Sequence, residues 1–305
     1  MKVLITGSGG MVGRNLKERL ANDKIDLLCP SRKVLNLLNI GALDKFLKSE
    51  KPDVIVHCAG LVGGIHANIL SPYDFCYQNL QIGINLIESA NNNGIQNIIN
   101  LGSSCMYPRN AENPFKESQV LRGELEPTNE GYAIAKIAIA KLCEFMNQQH
   151  GRSYKTLIPC NLYGKWDDFD INKSHMIPGV IRRMHEAKNN GQHAITIWGN
   201  GETMREFMYA EDLADFISNN IQNIDILPEI MNIGLGVDYS INDYYQVISE
   251  VVGFQGEFEY DLTKPEGMKR KQVDITKQSK LNWAPSHDLK QGITKTYQYF
   301  LELIE

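Results

Sequence analysis

Ser103, Ser104 and Cys105 close an apolar run, and Tyr132 and Lys136 follow further along the chain. A tyrosine and a lysine spaced i, i+4 share one helix face. An ammonium beside a phenol favours the phenolate. It is expected to bring the phenol down from about 10 toward the working range of an acid or base. A serine hydroxyl close by bonds the same oxygen that the phenol protonates. Ser103, Tyr132 and Lys136 therefore read as a site that reduces a carbonyl. Cys105 suggests a second chemistry in the same pocket. With His175 on the other side of a sugar, a thiol and an imidazole act as base and acid on carbons next to a ketone, whose protons the carbonyl acidifies.

The elements that must carry these residues are legible as an alternation. Strands are expected at 2–6, 25–29, 54–58, 98–101 and 155–159, with helices at 11–20, 43–49, 73–92 and 132–149 between them. Such alternation predicts an α/β fold, a Rossmann-type doubly wound parallel sheet with helices on both faces. After Asn161 the pattern loosens into a polar, aromatic stretch over 161–174. Beyond it, helices are expected at 177–188, 210–221, 241–252 and 289–303, and strands at 194–198 and 230–234. This predicts a smaller mixed α/β substrate-binding domain over 165–305. The cofactor domain is expected to span 1–164 and to be completed by later segments, roughly 195–225.

Gly7, Gly10 and Gly13 fall at the turn from the first strand into the first helix, with Met11 and Val12 opening that helix. Glycines there permit a tight turn and close backbone approach, and a helix start offers N–H groups to a diphosphate. The GxxGxxG spacing resembles the short-chain dehydrogenase/reductase superfamily. The second strand runs into Arg32 and Lys33 rather than a carboxylate. A cation there suits the 2′-phosphate of NADP(H). Asn36 and Leu37 come next and are expected to border the adenine.

The 305 residues are 43% hydrophobic and 22% charged, with a net charge of −5. That balance gives no footprint for nucleic acid or an anionic membrane, so an anionic ligand must be held by local groups. The six cysteines include no CxxC pair, which speaks against a zinc site, and no metal is expected. The opening Met-Lys-Val-Leu-Ile-Thr-Gly reads as a strand rather than a signal peptide. No apolar run approaches the roughly 18 residues that span a bilayer. A cytoplasmic location is expected.

Longer motifs narrow the reading. Gly102-Ser-Ser-Cys-Met-Tyr-Pro108, Glu126-Pro-Thr-Asn129, Tyr132-Ala-Ile-Ala-Lys136, Asn161-Leu-Tyr-Gly164, Ser174-His-Met-Ile-Pro178 and Met204-Arg-Glu-Phe207 together resemble the GDP-L-fucose synthase family. So do Val62-Gly-Gly-Ile65, Ala67-Asn68 and Lys264-Pro-Glu-Gly267, and the likeness runs from the first strand to the final helix. The resemblance implies an NADPH-dependent 3,5-epimerase-4-reductase of GDP-4-keto-6-deoxy-D-mannose. It implies that Ser103, Tyr132 and Lys136 form the reductase triad, that Cys105 is the epimerisation base, and that His175 is the acid reprotonating the opposite face. Ala59, Gly60, Asn161, Leu162, Lys136 and His175 join the cofactor contacts, with Arg32 selecting NADPH. Arg205 is implied to reach the substrate phosphates and Lys271 to lie near the nucleotide. Ser104, Val180, Arg183 and Trp198 complete the GDP-sugar pocket. A homodimer packed through the helices at 73–92 and 132–149 is also implied.

The chain departs from the family pattern at two places. Where the family continues Asn-Leu-Tyr-Gly with a proline and then Asp-Asn-Phe, this chain has Lys165-Trp166-Asp167-Asp168-Phe169. A cation position that some members use in the glycine loop is Gly9. The loop after Gly164 is expected near the sugar, so a second reading is a C4 reductase of a related GDP-4-keto sugar, such as a heptose, for capsule or lipopolysaccharide. A dehydratase or 4-epimerase with tightly held NAD fits Cys105 and Arg32 less well. An idle nucleotide-binding regulator fits poorly with an intact Ser103, Tyr132 and Lys136.

Overall fold

The computed structural model describes residues 1–21, 23–171, 174–264 and 267–305. The motif positions Pro265 and Glu266, and Asn172 and Lys173 just before the Ser174–Pro178 motif, lie outside the described residues.

The first half of the chain runs β1 (Lys2–Thr6), α1 (Met11–Leu20), β2 (Asp26–Leu28), α2 (Ile40–Glu50), β3 (Val54–His57), α3 (Ile65–Leu70), α4 (Pro72–Asn92), β4 (Asn97–Leu101), α5 (Glu130–His150) and β5 (Ser153–Pro159). The second half contributes β6 (Asn161–Tyr163), α6 (Met176–Asn189), β7 (Ala194–Trp198), β8 (Met204–Arg205), β9 (Phe207–Tyr209), α7 (Ala210–Asn220), β10 (Ile230–Ile233), β11 (Tyr239–Ser240), α8 (Ile241–Val252), β12 (Glu257–Asp261), β13 (Arg270–Lys271) and α9 (Leu289–Ile304).

The main sheet has the order β10-β5-β4-β3-β1-β2, and every pairing in it is parallel. A parallel sheet covered on both faces needs strands that are apolar throughout. Side chains alternate between the two faces. Val3, Ile5, Val54 and Val56 join the core that holds Leu16 of α1 and Phe216 of α7. Leu4 and Ile55 join the opposite core, with Leu86 of α4 and Ile139 of α5. The two long helices on that side approach closely at Gly83, where a Cβ would come 2.4 Å from Ile139 Cδ1. A third core, with Ile177 and Ile181 of α6, Tyr244 and Ile248 of α8, and Ile293 and Phe300 of α9, belongs to the smaller unit.

Chain connectivity places the site. From β1 the chain goes to β2 on one side, then crosses back to β3 on the other, which opens a crevice beyond the ends of these strands. The segment that extends the main sheet late in the sequence is β10. The 194–198 strand instead pairs with β12 in a separate parallel sheet. α7 packs beside α1, and β9 pairs with β6. The residues added to the cofactor unit thus come from 207–233, with β7 left to the smaller unit. We propose the domain division on that basis. A small sheet, β11-β8-β13, joins β8 antiparallel to β11 and parallel to β13.

Candidate active site

The cofactor end is shaped by backbone. Gly7 has a φ of +67°, and a Cβ on it would stand 2.6 Å from the Ala59 nitrogen. Gly13 sits inside α1, where a Cβ would come 2.3 Å from the Gly7 carbonyl oxygen. Only glycine lets the strand end, the loop after β3 and the start of α1 come this close. Gly10 caps α1 without a side-chain bond, and the first turn, with Met11 and Val12, holds no acidic residue. Its N–H groups and the positive end of the helix therefore face the crevice. Gly9 has open space around it.

Ala59 and Gly60 form the other wall. Asn79 of α4 fixes that wall by accepting from Leu61 N at 2.9 Å and donating to Leu61 O at 3.0 Å. Arg32 is exposed and makes no hydrogen bond or ion pair among the described residues. Leu37 is buried, with its carbonyl held by Asn85 Nδ2 at 2.8 Å, and Asn36 is exposed in a turn closed by Leu38 N. This cradle fits a dinucleotide with an additional phosphate beside Arg32.

At the chemical centre, β4 ends at Leu101 and the chain enters a tight turn over Ser104–Met106, capped by Ser103. Ser103 Oγ accepts from Cys105 N at 3.4 Å. The same hydroxyl lies close to the Tyr132 phenol and the Cys105 thiol, in each case favouring the ionised form. Lys136 lies one turn along α5 from Tyr132, with Nζ 5.7 Å from the phenol ring centroid. Nζ donates to the Leu101 carbonyl at 2.8 Å.

The expected lowering of Tyr132 is corrected here. Burial pushes its phenol up, the charge of Cys105 adds to this, and only the Ser103 bond opposes it. The lysine is turned onto a backbone carbonyl, and desolvation of the phenol wins. Tyr132 is held protonated, the state that a proton donor needs. Burial likewise lowers Lys136, against the charges of Cys105 and Cys58.

Cys105 is buried. Burial pushes its thiol up, while the Lys271 charge, the Ser103 hydroxyl and the Lys136 charge pull it down. Lys271, expected near the nucleotide, is thus brought to the thiol as well. It lies directly beside Arg205 in the β8–β13 pair. His175 stands at the N-cap of α6, where burial lowers its imidazole and Asp168 raises it. Among the described residues, no hydrogen bond joins His175 to Cys105. Ser104, next to Cys105 in the chain, is buried as well.

The remaining expected pocket residues differ in what they face. Arg205 Nη1 donates to the carbonyls of Met204 and Met268 at 2.8 and 2.6 Å. Arg183 donates to Thr196 O at 3.1 Å and to the Tyr245 hydroxyl at 2.5 Å. Val180 is 1% exposed, so its side chain is committed to the core of the smaller unit. Trp198 is exposed at the end of β7, with the Lys264 ammonium over its ring at 5.5 Å. Asn161 Nδ2 donates to Glu206 O at 3.0 Å, and Leu162 continues the same strand.

The altered loop after Gly164 divides. Trp166 is packed under Arg14 of α1 at 4.5 Å and against Tyr299 of α9 at 5.1 Å. Lys165 Nζ bonds Glu18 of α1 at 3.2 Å. These two residues therefore face α1 and α9, and it is Asp168 that turns its charge on His175. Asp167 Oδ2 is buried without a partner among the described residues, and burial pushes this carboxyl up to about 7.

Three polar residues at the site were not singled out from the sequence. Asn79 is one. His57 is buried at the end of β3, bonded to Thr6 Oγ1 at 2.8 Å, and burial with the Lys136 charge takes it down to about 3. Glu206 is fully buried between Arg205 and Phe207, and burial pushes it up to about 7 against three backbone N–H bonds. A carboxylate inside an apolar run, as in Met204-Arg-Glu-Phe207, is the signal that marks it.

A parallel sheet with a glycine cradle at its switch point, and a serine–tyrosine–lysine set at the end of β4, define a dinucleotide-dependent enzyme of the short-chain reductase kind. The model of the NAD dependent epimerase/dehydratase family matches residues 3–234, and the chain belongs to that family. A GDP-L-colitose synthase of Yersinia pseudotuberculosis is 51% identical over 99% of this chain and 98% of its own. A GDP-L-fucose synthase of Azorhizobium caulinodans is 44% identical over 98% and 96%. Among solved structures, a GDP-mannoheptose C4 reductase from Campylobacter jejuni with NADP bound has a TM-score of 0.88 and 33% identity, covering 98% of each chain. No helix among the described residues is long and apolar enough to cross a membrane.

Proposed function

We propose that this chain catalyses the NADPH-dependent epimerisation and C4 reduction of GDP-4-keto-6-deoxy-D-mannose, giving GDP-L-fucose. The observation that carries the reading is Ser103, whose hydroxyl caps the turn that holds Cys105 and lies close to the Tyr132 phenol. A carbonyl oxygen bonded there has a proton donor for reduction on one side and a base for its α-carbon on the other.

In this reading the Gly7–Gly13 turn and the start of α1 hold the cofactor diphosphate, Arg32 its 2′-phosphate and Lys136 its ribose. NADPH, when bound, supplies the hydride to C4. Cys105, as thiolate, removes a proton from a carbon next to the ketone, and His175 returns one to the opposite face. The carbonyl polarised by Ser103 stabilises the charge between those two transfers. Tyr132 then gives its proton to O4 as the carbon is reduced. Arg205 and Lys271 face the diphosphate of the GDP, with Ser104, Arg183, Trp198 and the backbone at Val180 around the sugar and nucleotide.

A second reading is favoured by the higher identity to the GDP-L-colitose synthase than to the GDP-L-fucose synthase. Colitose lacks the 3-hydroxyl of fucose, so its formation needs epimerisation at C5 alone. The likeness to the GDP-mannoheptose C4 reductase, at lower identity, supports a third reading, C4 reduction of a GDP-4-keto heptose. One experiment separates the three. The enzyme is incubated with NADPH in heavy water and a panel of GDP-4-keto sugars, and the product is read by NMR for configuration and for deuterium at C3 and C5. GDP-L-fucose labelled at both carbons supports the first reading. A preference for the 3-deoxy substrate with label at C5 alone replaces it with the second. Reduction without label removes the epimerase role.

We further propose a homodimer through α4 and α5, where Tyr73, Tyr77, Ile84, Ile134 and Phe145 are exposed. A cytoplasmic location is consistent with six unpaired cysteines.

A further inference from the structure

Glu206 is held at every polar group it has. Its N–H donates to Lys271 O at 3.3 Å, and its carbonyl accepts from Asn161 Nδ2 at 3.0 Å. Oε1 accepts from Leu235 N at 2.6 Å and Gly236 N at 2.9 Å, and Oε2 accepts from Val273 N at 2.7 Å. Successive N–H groups converging on one oxygen form a nest that suits an anion. Access depends on Gly234, where a Cβ would stand 2.4 Å from Oε1.

These bonds join three segments distant in sequence: the link between β8 and β9, the turn after β10, and the stretch beyond β13. One residue before Glu206 is Arg205, and two before Val273 is Lys271. The register makes those two cations direct neighbours across the ladder. Like charges placed so repel, and two-residue strands have little hydrogen bonding of their own with which to hold them.

We propose that Glu206 is a positioning residue. Its carboxylate holds β13 against β8, so that Lys271 is presented both to the substrate diphosphate beside Arg205 and to the Cys105 thiol. The tie from this strand link to Asn161 is made by the Glu206 backbone carbonyl, so the side chain sets the anion site and leaves the cofactor wall to the backbone. The proposal rests on the function given above for Cys105, Arg205 and Lys271.

The test uses full-length enzyme and two measurements that need no turnover: GDP binding by calorimetry, and the pH dependence of Cys105 alkylation by iodoacetamide. The alkylation is read at Cys105 by peptide mass spectrometry. In Glu206→Gln an amide N–H faces Val273 N–H. GDP binding is expected to weaken tenfold or more, and the Cys105 alkylation midpoint to move to higher pH. NADPH affinity should change less than twofold. Lys271→Met should move the midpoint in the same direction, and the double variant should move it no further than Lys271→Met does. If Glu206→Gln gives no folded protein, Glu206→Asp, which keeps the charge and shortens its reach, carries the same comparison. A variant that melts earlier but keeps wild-type GDP affinity and alkylation would overturn the proposal, as would additive shifts in the double variant. Failure of the wild type to convert any GDP-4-keto sugar would instead count against the assigned reaction, leaving these two readouts to decide on Glu206.

Discussion

The cofactor end and the sugar end of this site are built in opposite ways. At the cofactor end Gly7, Gly10 and Gly13 lie in one turn of chain, and the shape is set by how closely backbone meets backbone. At the sugar end Cys105, His175, Arg205 and Lys271 come from four separate segments, kept in place by polar side chains such as Glu206 that reach across the fold. The first kind of site is broken by adding one methyl group. The second is broken by removing one polar partner.

The largest expected effect falls where the two ends meet. Tyr132→Phe should lower turnover by about 10²–10⁴-fold, the usual worth of a positioned proton donor, with NADPH affinity retained. Stopped-flow NADPH oxidation and fluorescence titration check the two halves. Near-normal turnover would remove Tyr132 from the chemistry.

Gly13→Ala attacks the cofactor end alone. Its methyl meets backbone at 2.3 Å, so overpacking of about 1–3 kcal/mol is expected, with loss of NADPH binding. Gly9→Ala, four residues earlier with open space around it, should change neither. Urea melts and NADPH titrations of both variants sharpen the contrast, and equal effects would break it.

Acid stability probes the buried join between β1 and β3. His57 titrates near 6.5 in the unfolded chain and at about 3 when folded. Below pH 6.5 the unfolded state therefore binds the extra proton, and stability falls as pH drops from 6.5 toward 3. Between pH 6.5 and 5 this amounts to about 2 kcal/mol. The stability difference between wild type and His57→Asn should shrink by that amount across the interval, read from urea midpoints.

The smallest effect is at the exposed rim. Arg32→Ala should raise the KM for NADPH about tenfold, as expected for one charge-assisted contact to phosphate, with little change for NADH. Equal changes would leave Arg32 as an ordinary loop charge.

What the sequence disclosed follows the same division. The helix expected over 11–20 is α1 to the residue, and the strands and helices of the first half lie within a few residues of their expected bounds. Their periodicity is long enough to read. α3, β6, β8, β9, β11, β12 and β13 were not expected. They are two to six residues long, too short to show a period, and the strands exist through distant partners such as Lys271 beside Arg205. The Tyr132 shift was read with the wrong sign because spacing reveals a neighbouring lysine but neither the burial of the phenol nor the Leu101 carbonyl that accepts the lysine's hydrogen bond. The loop after Gly164 is expected near the sugar from its position alone, and that position does not reveal that Arg14 and Tyr299 hold its Trp166 between α1 and α9.

That Trp166 contact has a consequence for synthesis. On the ribosome, the glycine turn and the strands from β1 to β5 emerge before any of β8, β13 or α9. At ordinary elongation rates the interval is on the order of ten seconds. During it Trp166, which follows β5 closely, lacks Tyr299 of α9, and Cys105 lacks Lys271. The nascent chain can carry a cofactor cradle before the second half is made, so Cys105 acquires its neighbouring cation only after the nucleotide fold is in place.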